Sequence, residues 1–262
     1  MLIDRLYAVG SVRRFLWRHW YPLVTRLLRR EEVLFLNYAF DEAQPIPLGA
    51  KDEPHRAWIQ LYHKTASQAD LAGKDVLEVS CGHGGGASYL TRTFGPRTYV
   101  GIDINPDGIR YCQRRHDVQG LRFMKGDAEA LPFPDGSMDV ILNIEASHCY
   151  GSFPGFLEEV KRVLRPGGCL LYADFRPAAD TDAWHSTLQT CGLGLENWED
   201  ITGAVLRGME RNSAQSAALV SRFLPRFLQG FGRDFAGVRG SKMYNEFERR
   251  EHVYRLYALR KA

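Results

Sequence analysis

Short apolar runs alternate with longer amphipathic stretches along most of the chain. The run Val76–Ser80 predicts a buried strand, and Ala87–Phe94 has the spacing of a helix that crosses back over a sheet. Similar runs predict four further strands, over Tyr99–Asp103, Leu121–Lys125, Met138–Asn143 and Cys169–Asp174. Two more amphipathic stretches predict helices, over Pro106–His116 and Phe153–Leu164. Strands that alternate with helices at this spacing are typical of a parallel sheet.

The remaining segments are less regular. Residues 178–232 predict mainly helix, which would interrupt the sheet. Val253–Leu259 predicts a late strand, and Phe235–Val238 is a candidate partner that would give two antiparallel strands at one edge. Asp41–Pro54 predicts a loop because it holds three prolines and a glycine. We therefore predict an α/β fold with a doubly wound, mainly parallel sheet, a helical N-terminal arm and a helical insert before the last two strands.

Composition narrows the class of protein. A chain of 262 residues that is 45% hydrophobic can bury the core of one α/β domain. The net charge of +3 is too small to indicate nucleic acid as a partner. Five scattered cysteines without a CxxC pair argue against a disulfide framework and favour the reducing cytoplasm. There is no apolar run of membrane-spanning length and no signal-peptide pattern.

The first thirty residues carry seven arginines against one acidic residue. Apolar positions interleave with these arginines, and Pro22 interrupts the helical pattern. One interpretation is an ordinary amphipathic helix packed on the domain. The other is a lid over an apolar channel, which leaves open a peripheral contact with an anionic membrane surface.

The most distinctive stretch follows the first predicted strand, where Gly82–Gly86 holds four glycines in five residues. Glycine lets the backbone turn tightly and approach a ligand closely. Glu78 lies just before these glycines, where a phosphate-binding loop would disfavour a negative charge. We therefore expect a ligand that carries positive charge and hydroxyl groups rather than a pyrophosphate.

Polar residues also follow the other predicted strands. Asp103 ends the second strand, about where a ribose-binding acid is expected. Asp127 follows the third strand beside the small Ala128, and the polar segment Asn143–His148 follows the fourth. Any one of these residues could simply cap a helix or make a turn. Together they predict a ligand pocket at the carboxyl edge of the sheet.

This series of motifs resembles the class I S-adenosylmethionine-dependent methyltransferases over about residues 70–175. The matching segments are Glu78–Gly86, Gly101–Asp103, Gly126–Phe133, Met138–Asn143 and Leu164–Gly168. The resemblance implies a Rossmann-like fold, with S-adenosyl-L-methionine as cofactor and S-adenosyl-L-homocysteine as product. It also implies that the glycine loop holds the methionine part of the cofactor, Asp103 the ribose, and Asp127 and Ala128 the adenine.

A closer similarity extends over nearly the whole chain. Its segments are Trp20–Leu23, Asp52–Arg56, Leu61–Ala66, Glu78–Arg92 and Glu145–Tyr150. They look like the phthiotriol/phenolphthiotriol dimycocerosate methyltransferases, a mycobacterial family that also contains fatty-acid O-methyltransferases. This resemblance implies methyl transfer to an oxygen of a long-chain lipid or polyketide-derived acceptor.

The resemblance also implies that different parts of the chain bind the acceptor and the cofactor. Residues 1–54 and the insert 178–232 would face the acceptor, residues 55–177 would form the cofactor-binding core, and residues 233–262 would supply closing edge strands. The apolar stripe of the insert fits either a hydrophobic acceptor or plain core, and consists of Leu219, Val220, Phe223, Leu224, Phe227, Leu228 and Phe231.

The predicted site residues fall into three groups. The predicted cofactor contacts are Glu78, Ser80, Gly82, Gly84, Gly86, Asp103, Ile104, Asp127, Ala128 and Asn143. The predicted substrate contacts are Trp20, Tyr21, His63 and Tyr150. His148 and Glu145 are the predicted catalytic residues. No metal site is predicted, although these two could supply ligands from one turn.

The chemistry of methyl transfer explains why His148 and Glu145 are the predicted catalytic residues. Displacement at a sulfonium mainly requires alignment of nucleophile, methyl and sulfur in a dry pocket. A hydroxyl acceptor must also lose a proton, for which His148, oriented by Glu145, is the predicted base. A carboxylate acceptor is already ionised and needs no base. A structural role is the alternative for His148.

Several other functions stay open at this point. Within the methyltransferases, the alternatives are C-methylation of a quinone-like ring and O-methylation of a sugar or natural-product hydroxyl. A nicotinamide-dependent oxidoreductase also uses a glycine loop and a strand-end acid. A catalytically idle cofactor-binding regulator is the last alternative. The sequence does not set the oligomeric state.

Overall fold

The computed structural model describes Thr25, residues 33–41, Gln44 and residues 46–262. The predicted substrate contacts Trp20 and Tyr21 lie outside the described residues, as does most of the predicted N-terminal arm. Among the described residues, no helix has the length and apolar character needed to cross a bilayer.

Strands and helices alternate through most of the described chain. The strands are β1 (Asp75–Val79), β2 (Thr98–Asp103), β3 (Leu121–Lys125), β4 (Met138–Ile144), β5 (Leu164–Pro177), β6 (Gly194–Asp200) and β7 (His252–Arg260). After residue 46 the helices are α1 (Arg56–Ala66), α2 (Gly85–Phe94), α3 (Pro106–Arg115), α4 (Phe153–Val163), α5 (Thr181–Thr190), α6 (Thr202–Phe223), α7 (Gln229–Phe235) and α8 (Lys242–Glu248).

The seven strands form one sheet in the order β3-β2-β1-β4-β5-β7-β6. Neighbouring strands run parallel except at β7, which is antiparallel to both β5 and β6. The strand order reverses between β1 and β4, where Val76 pairs with Tyr99 on one side and Val140 on the other. A ligand crevice is expected outside the carboxyl ends of the strands at this point. The predicted doubly wound, mainly parallel α/β fold is confirmed.

Two hydrophobic cores cover the two faces of the sheet. Successive residues of a strand point to opposite faces, so Val76 enters one core and Leu77 the other. The first core includes Ile59 of α1, and the second includes Phe156 of α4. Burial on both faces explains why the central strands are continuous apolar runs in the sequence.

The structure differs from the prediction at the far edge of the sheet. β6 lies inside the segment 178–232 that we predict to be mainly helical, so α6, α7 and α8 separate β6 from β7. The pairing predicted for Phe235–Val238 is wrong, because Phe235 ends α7 and the partners of β7 are β5 and β6. Most β6 side chains are exposed, so this edge strand lacks the apolar alternation that reveals a strand.

Candidate functional site

A cavity of about 670 Å³, here called the main cavity, opens at the carboxyl edge of the sheet. Its volume lies within the usual range for small-molecule sites. One part of its wall comes from the loops after β1, β2 and β3, and includes Ser80, Gly82, Asp103, Ile104, Asp127 and Ala128. The other part comes from β4, β5, α7, α8 and β7, and includes Glu145, His148, Phe175, Phe235, Met243 and His252.

The three predicted glycines have different roles in the loop after β1. Gly82 lines the main cavity and has a φ angle of +55°, which favours glycine. Gly84 is the N-cap residue just before α2 and has a φ of +75°, and a Cβ atom there would lie 2.7 Å from Phe123 Cζ. A Cβ atom at Gly86 would overlap the ring of Tyr62. Gly82 therefore leaves room for a ligand, whereas Gly84 and Gly86 allow the loop and α2 to pack on their neighbours.

Asp103 ends β2 with its carboxylate beside the glycine loop. Gly82 N donates a hydrogen bond to Asp103 Oδ2 at 2.9 Å, and Asn105 N donates to Oδ1 at 2.8 Å. Burial raises the pKa of Asp103 to about 6, and these backbone donors act in the opposite direction. A carboxylate has about four acceptor positions, so Asp103 keeps capacity for hydroxyl groups of a ligand in the main cavity.

The turn after β3 supplies the next part of the wall. Asp127 Oδ1 accepts a hydrogen bond from Glu129 N at 3.0 Å, which shapes the turn around the small Ala128. Asp127, Ala128 and Ile104 all line the main cavity. These residues therefore form a polar and an apolar surface beside Asp103.

Glu78 does not present its carboxylate to the main cavity, although the sequence led us to expect that it would face the ligand. It is buried within β1, does not line the main cavity, and accepts hydrogen bonds from two tyrosine hydroxyls. Tyr62 Oη lies 3.1 Å from Oε1, and Tyr99 Oη lies 2.7 Å from Oε2. Burial raises the pKa of Glu78 to about 7, against the effect of both hydrogen bonds. Glu78 thus supports the glycine loop from behind.

A hydrogen-bonded group joins the ends of β1 and β4. Asn143 Nδ2 donates to Val79 O at 3.0 Å and to Tyr150 Oη at 2.7 Å, and Ser80 Oγ lies 2.7 Å from the same hydroxyl. Ser80 and Tyr150 line the main cavity, but the fully buried Asn143 does not. Asn143 therefore positions Tyr150 rather than facing a ligand.

Two residues at these strand ends have strained backbones. Ser80 has a φ of +63° and Glu145 a φ of +52°, in the left-handed region that costs non-glycine residues energy. Both line the main cavity on either side of the point where strand order reverses. Strain of this kind persists only where surrounding contacts hold it, and it clusters at functional sites.

Glu145 does not orient His148 as the sequence suggested. Its two carboxylate oxygens accept hydrogen bonds from Tyr38 N at 3.0 and 2.9 Å, and Tyr254 Oη donates to Oε2 at 3.1 Å. Burial raises the pKa of Glu145 to about 8, although the Tyr38 N–H and the charge of His148 act in the opposite direction. Glu145 therefore ties residues 33–41 to the end of β4.

The partner of His148 is Asp174, in β5. His148 Nδ1 donates to Asp174 Oδ1 at 2.8 Å, and His148 N donates to Oδ2 at 3.0 Å. Arg176 Nη1 lies 3.1 Å from Asp174 Oδ2, and Arg176 Nη2 donates to Ser147 Oγ at 2.7 Å. The imidazole packs on Phe175 with 4.4 Å between ring centroids. We call Arg176, Asp174 and His148 the charge network.

Neighbouring charges shift the pKa values of Asp174 and His148. Burial alone would raise the pKa of Asp174, but Arg176 and His148 outweigh burial and hold it well below its usual value. Burial alone would lower the pKa of His148, but the neighbouring Cys149 and Asp174 outweigh burial and raise it to about 10. The pKa of His148 is raised because its ring donates a hydrogen bond to a buried carboxylate, which favours the protonated form. Asp174 is thus ionised and His148 protonated at neutral pH.

For two residues the site differs from the prediction made from the sequence. Asp174 was not predicted, although its signal was present as an acid near the end of the fifth strand, like Asp103 in the second. His63 was predicted to contact the substrate, but its Nδ1 lies 2.7 Å from Tyr89 Oη of α2, and His63 does not line the main cavity.

Thr25 connects the N-terminal part of the chain to the glycine loop. His83 Nδ1 donates to Val33 O at 2.7 Å, so its Nε2 accepts from Thr25 Oγ1 at 3.0 Å. Asn105 Nδ2 donates to the same hydroxyl at 2.9 Å. Burial lowers the pKa of His83, which agrees with a neutral ring in this chain of bonds. His83 is therefore a structural contact within the cavity wall.

The main cavity fits S-adenosyl-L-methionine. The half-buried Asp103 carboxylate, with spare acceptor capacity, suits a ribose diol, and Gly82 gives the loop a surface without a side chain. Ile104 and Ala128 provide an apolar surface suited to a flat ring. Among the described residues, no group of three or more His, Cys, Asp and Glu side chains is arranged to hold a metal ion.

Comparisons with known proteins identify similar sequences and folds. Residues 77–172 match the family model of a methyltransferase domain. The chain is 55% identical to the probable phthiotriol/phenolphthiotriol dimycocerosates methyltransferase 2 of Mycobacterium ulcerans, over 89% of this chain and 92% of the relative. It is 48% identical to the fatty-acid O-methyltransferase of Mycolicibacterium smegmatis, over 90% of this chain and 86% of that protein.

A solved structure gives an independent comparison of the fold. Geranyl diphosphate C-methyltransferase from Streptomyces coelicolor, in complex with Mg²⁺, geranyl diphosphate and S-adenosyl-L-homocysteine, has a TM-score of 0.69 to this chain. The match covers 95% of this chain and 98% of the other at 17% identity. At this level of identity the likeness concerns the fold alone.

Proposed function

The chain belongs to the mycobacterial phthiotriol/phenolphthiotriol dimycocerosates methyltransferase family, and from this premise we propose that it methylates an oxygen atom of a long-chain lipid. It is an enzyme that uses S-adenosyl-L-methionine. The choice of an oxygen acceptor rests on the charge network. This network reaches the main cavity at His148, and apolar side chains of α7, α8 and β5 line the same cavity.

The loops after β1, β2 and β3 would hold the cofactor. S-adenosyl-L-methionine, when bound, supplies a methyl group activated by its sulfonium charge. Asp103 would accept hydrogen bonds from the ribose hydroxyls, Asp127 and Ala128 would contact the adenine, and Gly82 would let the methionine part lie against the backbone. These contacts orient the cofactor, and orientation accounts for much of the rate of an in-line displacement.

The opposite wall would receive the acceptor oxygen. His148 Nδ1 is committed to Asp174, so Nε2 is the ring nitrogen that remains to meet an acceptor. Phe175 packs on the imidazole, and Phe235 and Met243 add apolar surface to the wall of the same cavity. Such surface excludes water from the reaction and strengthens the interaction between the imidazole and the acceptor oxygen.

The charge balance favours an acceptor oxygen that arrives ionised. With His148 protonated, the network holds two positive charges, on His148 and Arg176, and one negative charge, on Asp174. The remaining positive charge can pair with a fatty-acid carboxylate, which needs no base. A hydroxyl group is the second candidate, since the same His148 would serve as its base once deprotonated.

The pH dependence of transfer separates these two acceptors. We expect labelled-methyl transfer to hexadecanoate to be present at neutral pH and to fall as the pH rises through the His148 pKa of about 10. Transfer to hexadecan-1-ol should instead rise over the same range, because the base form of His148 accumulates. His148→Ala should lower transfer to the alcohol by a factor of ~10²–10⁴.

The controls separate the role of His148 from general effects. His185→Ala on α5, away from the main cavity, should leave both profiles unchanged. If the parent protein labels a quinone, a sugar or another natural-product hydroxyl but neither long-chain compound, the proposed lipid acceptor is wrong. If His148→Ala keeps both profiles, the proposed role of His148 is wrong.

We also propose that the basic N-terminal residues bring the protein to an anionic membrane surface, where long-chain acceptors are found. The support is the seven arginines among the first thirty residues. Most of these residues lie outside the described residues. Sedimentation with anionic and with neutral lipid vesicles tests the proposal, which fails if the two kinds of vesicle bind equally.

A further inference from the structure

A second, smaller cavity of about 100 Å³ adjoins the main cavity, and we call it the side cavity. Leu36, Asn37 and Phe235 line both cavities, so these three residues lie at the boundary between them. The rest of the described wall comes from residues 33–35, α1, the second half of α6 and α7. It consists of Val33, Phe35, Trp58, Ser216, Leu219, Val220, Phe223, Leu224, Gly232 and Ala236.

We infer that the side cavity takes the far end of the acceptor's alkyl chain and so selects acceptors by chain length. The inference rests on the proposed function and adds to it a site for the part of the lipid remote from the reacting oxygen. Only Asn37 and Ser216 contribute polar side chains to the described wall. The Asn37 amide nitrogen donates to Tyr38 O at 2.9 Å and to Trp58 O at 3.2 Å, whereas its Oδ1 is buried and accepts no hydrogen bond from the described residues.

The size and lining of the side cavity support an alkyl occupant. An apolar cavity of about 150 Å³ in another protein stays dry and binds benzene. A cavity of about 100 Å³ with this lining therefore has room for a short run of methylene groups. Because Leu36, Asn37 and Phe235 line both cavities, we place one extended chain across this boundary, with its oxygen near His148.

The apolar stripe of the insert fits this arrangement. Leu219, Val220 and Phe223 of α6 line the side cavity, and Phe231 of α7 lines the main cavity. Phe227 is 84% exposed and lines neither. Most of the stripe therefore lines one cavity or the other, and in the proposed complex these residues would contact different parts of the alkyl chain.

A matched pair of substitutions tests the inference. Ala236→Trp would fill the side cavity, whereas Ala218→Trp puts the same side chain on the exposed face of α6. The acceptors are saturated acids and alcohols from about eight to about twenty carbons. We expect Ala236→Trp to lower kcat/KM for the long acceptors at least tenfold relative to the short ones, since losing one methylene contact costs ~10–200-fold. Ala218→Trp should keep the parent profile.

A third variant covers the case in which Ala236→Trp does not fold. Phe223→Ala would enlarge the side cavity, and we expect it to shift the preferred chain length upward by several carbons. Calorimetry should give the parent cofactor affinity in all three variants. The inference is wrong if the filled or the enlarged variant transfers methyl groups with the parent chain-length profile. The proposed function itself fails only if the parent protein methylates no lipid in the series.

Discussion

At the scale of single residues, two buried acids in the described chain have opposite surroundings. Asp174 lies between Arg176 and His148, whose charges hold its pKa low and keep it ionised. Glu78 accepts hydrogen bonds from the hydroxyls of two tyrosines, and burial raises its pKa to about 7. The first acid therefore works as a fixed charge beside the main cavity, while the second exchanges a proton with solvent near neutral pH.

Replacement of Glu78 should change how the stability of the protein depends on pH. Between the ordinary pKa of 4.5 and the folded value of about 7, the folded protein holds a proton that the unfolded chain has lost. The free energy of unfolding therefore falls as the pH rises through this range. Glu78→Gln removes that fall, so its Tm should exceed the parent's by a few degrees above pH 7 and approach it near pH 4.5.

Thermal unfolding at a series of pH values measures this difference. Glu158→Gln is the matched control, because the Glu158 side chain is 64% exposed on α4 and its substitution should leave the pH dependence unchanged. Parallel Tm curves for the parent and Glu78→Gln would contradict the assignment of the proton to Glu78.

Asp103 should show its role through cofactor affinity. Asp103→Asn keeps the shape of the side chain and removes its charge, so we expect a loss of ~1.5–3 kcal/mol in binding of S-adenosyl-L-methionine. Parent affinity should also fall as the pH drops below the Asp103 pKa of about 6, and the variant should lack this fall. Calorimetry measures both effects, with the exposed Asp117→Asn as control. Equal affinities would exclude Asp103 from the cofactor contact.

At the scale of elements, the packing of α1 on α2 depends on one glycine. Gly86 lies against Tyr62, whose hydroxyl donates to Glu78 behind the glycine loop. Gly86→Ala should therefore lower the free energy of unfolding by ~1–3 kcal/mol, the usual cost of overpacking. Gly230→Ala on α7 is the control, because a Cβ atom there meets nothing within 4 Å. Denaturant unfolding that gives both variants the parent stability would contradict this packing.

The predictability of the elements follows from their burial. The strands β1, β2, β4, β5 and β7 were predicted because apolar runs on a two-sided core leave a clear trace in the sequence. The edge strand β3 was predicted too, although only Phe123 in it is buried. β6 was missed because its exposed edge carries residues such as Glu196 and Glu199 that fit a loop or helix equally well. The glycine motif was found as a whole, but only three-dimensional packing separates Gly82 from Gly84 and Gly86.

At the scale of the whole molecule, the site is assembled from distant parts of the chain. Glu145 accepts hydrogen bonds from a residue 107 positions away, Tyr38, and His148 pairs with Asp174 across 26 positions. Local spacing made Glu145 the natural partner of His148, since the two lie one turn apart. The sequence could indicate which strand ends carry acids. It could not indicate which side chains meet, because the register of β4 and β5 decides that.

Residues 33–38, here called the roof, contribute to the walls of the two cavities, and this position has a consequence for the rate of turnover. Glu145 holds the roof through Tyr38 N, and Gln60 Nε2 donates to Phe40 O at 2.7 Å. A methylated lipid beneath this roof would leave slowly, because these bonds must open first. We expect rapid-quench measurements with saturating substrates to show a burst of about one product per enzyme, followed by a slower steady rate. Linear product formation from the first turnover would mean that the roof does not delay departure.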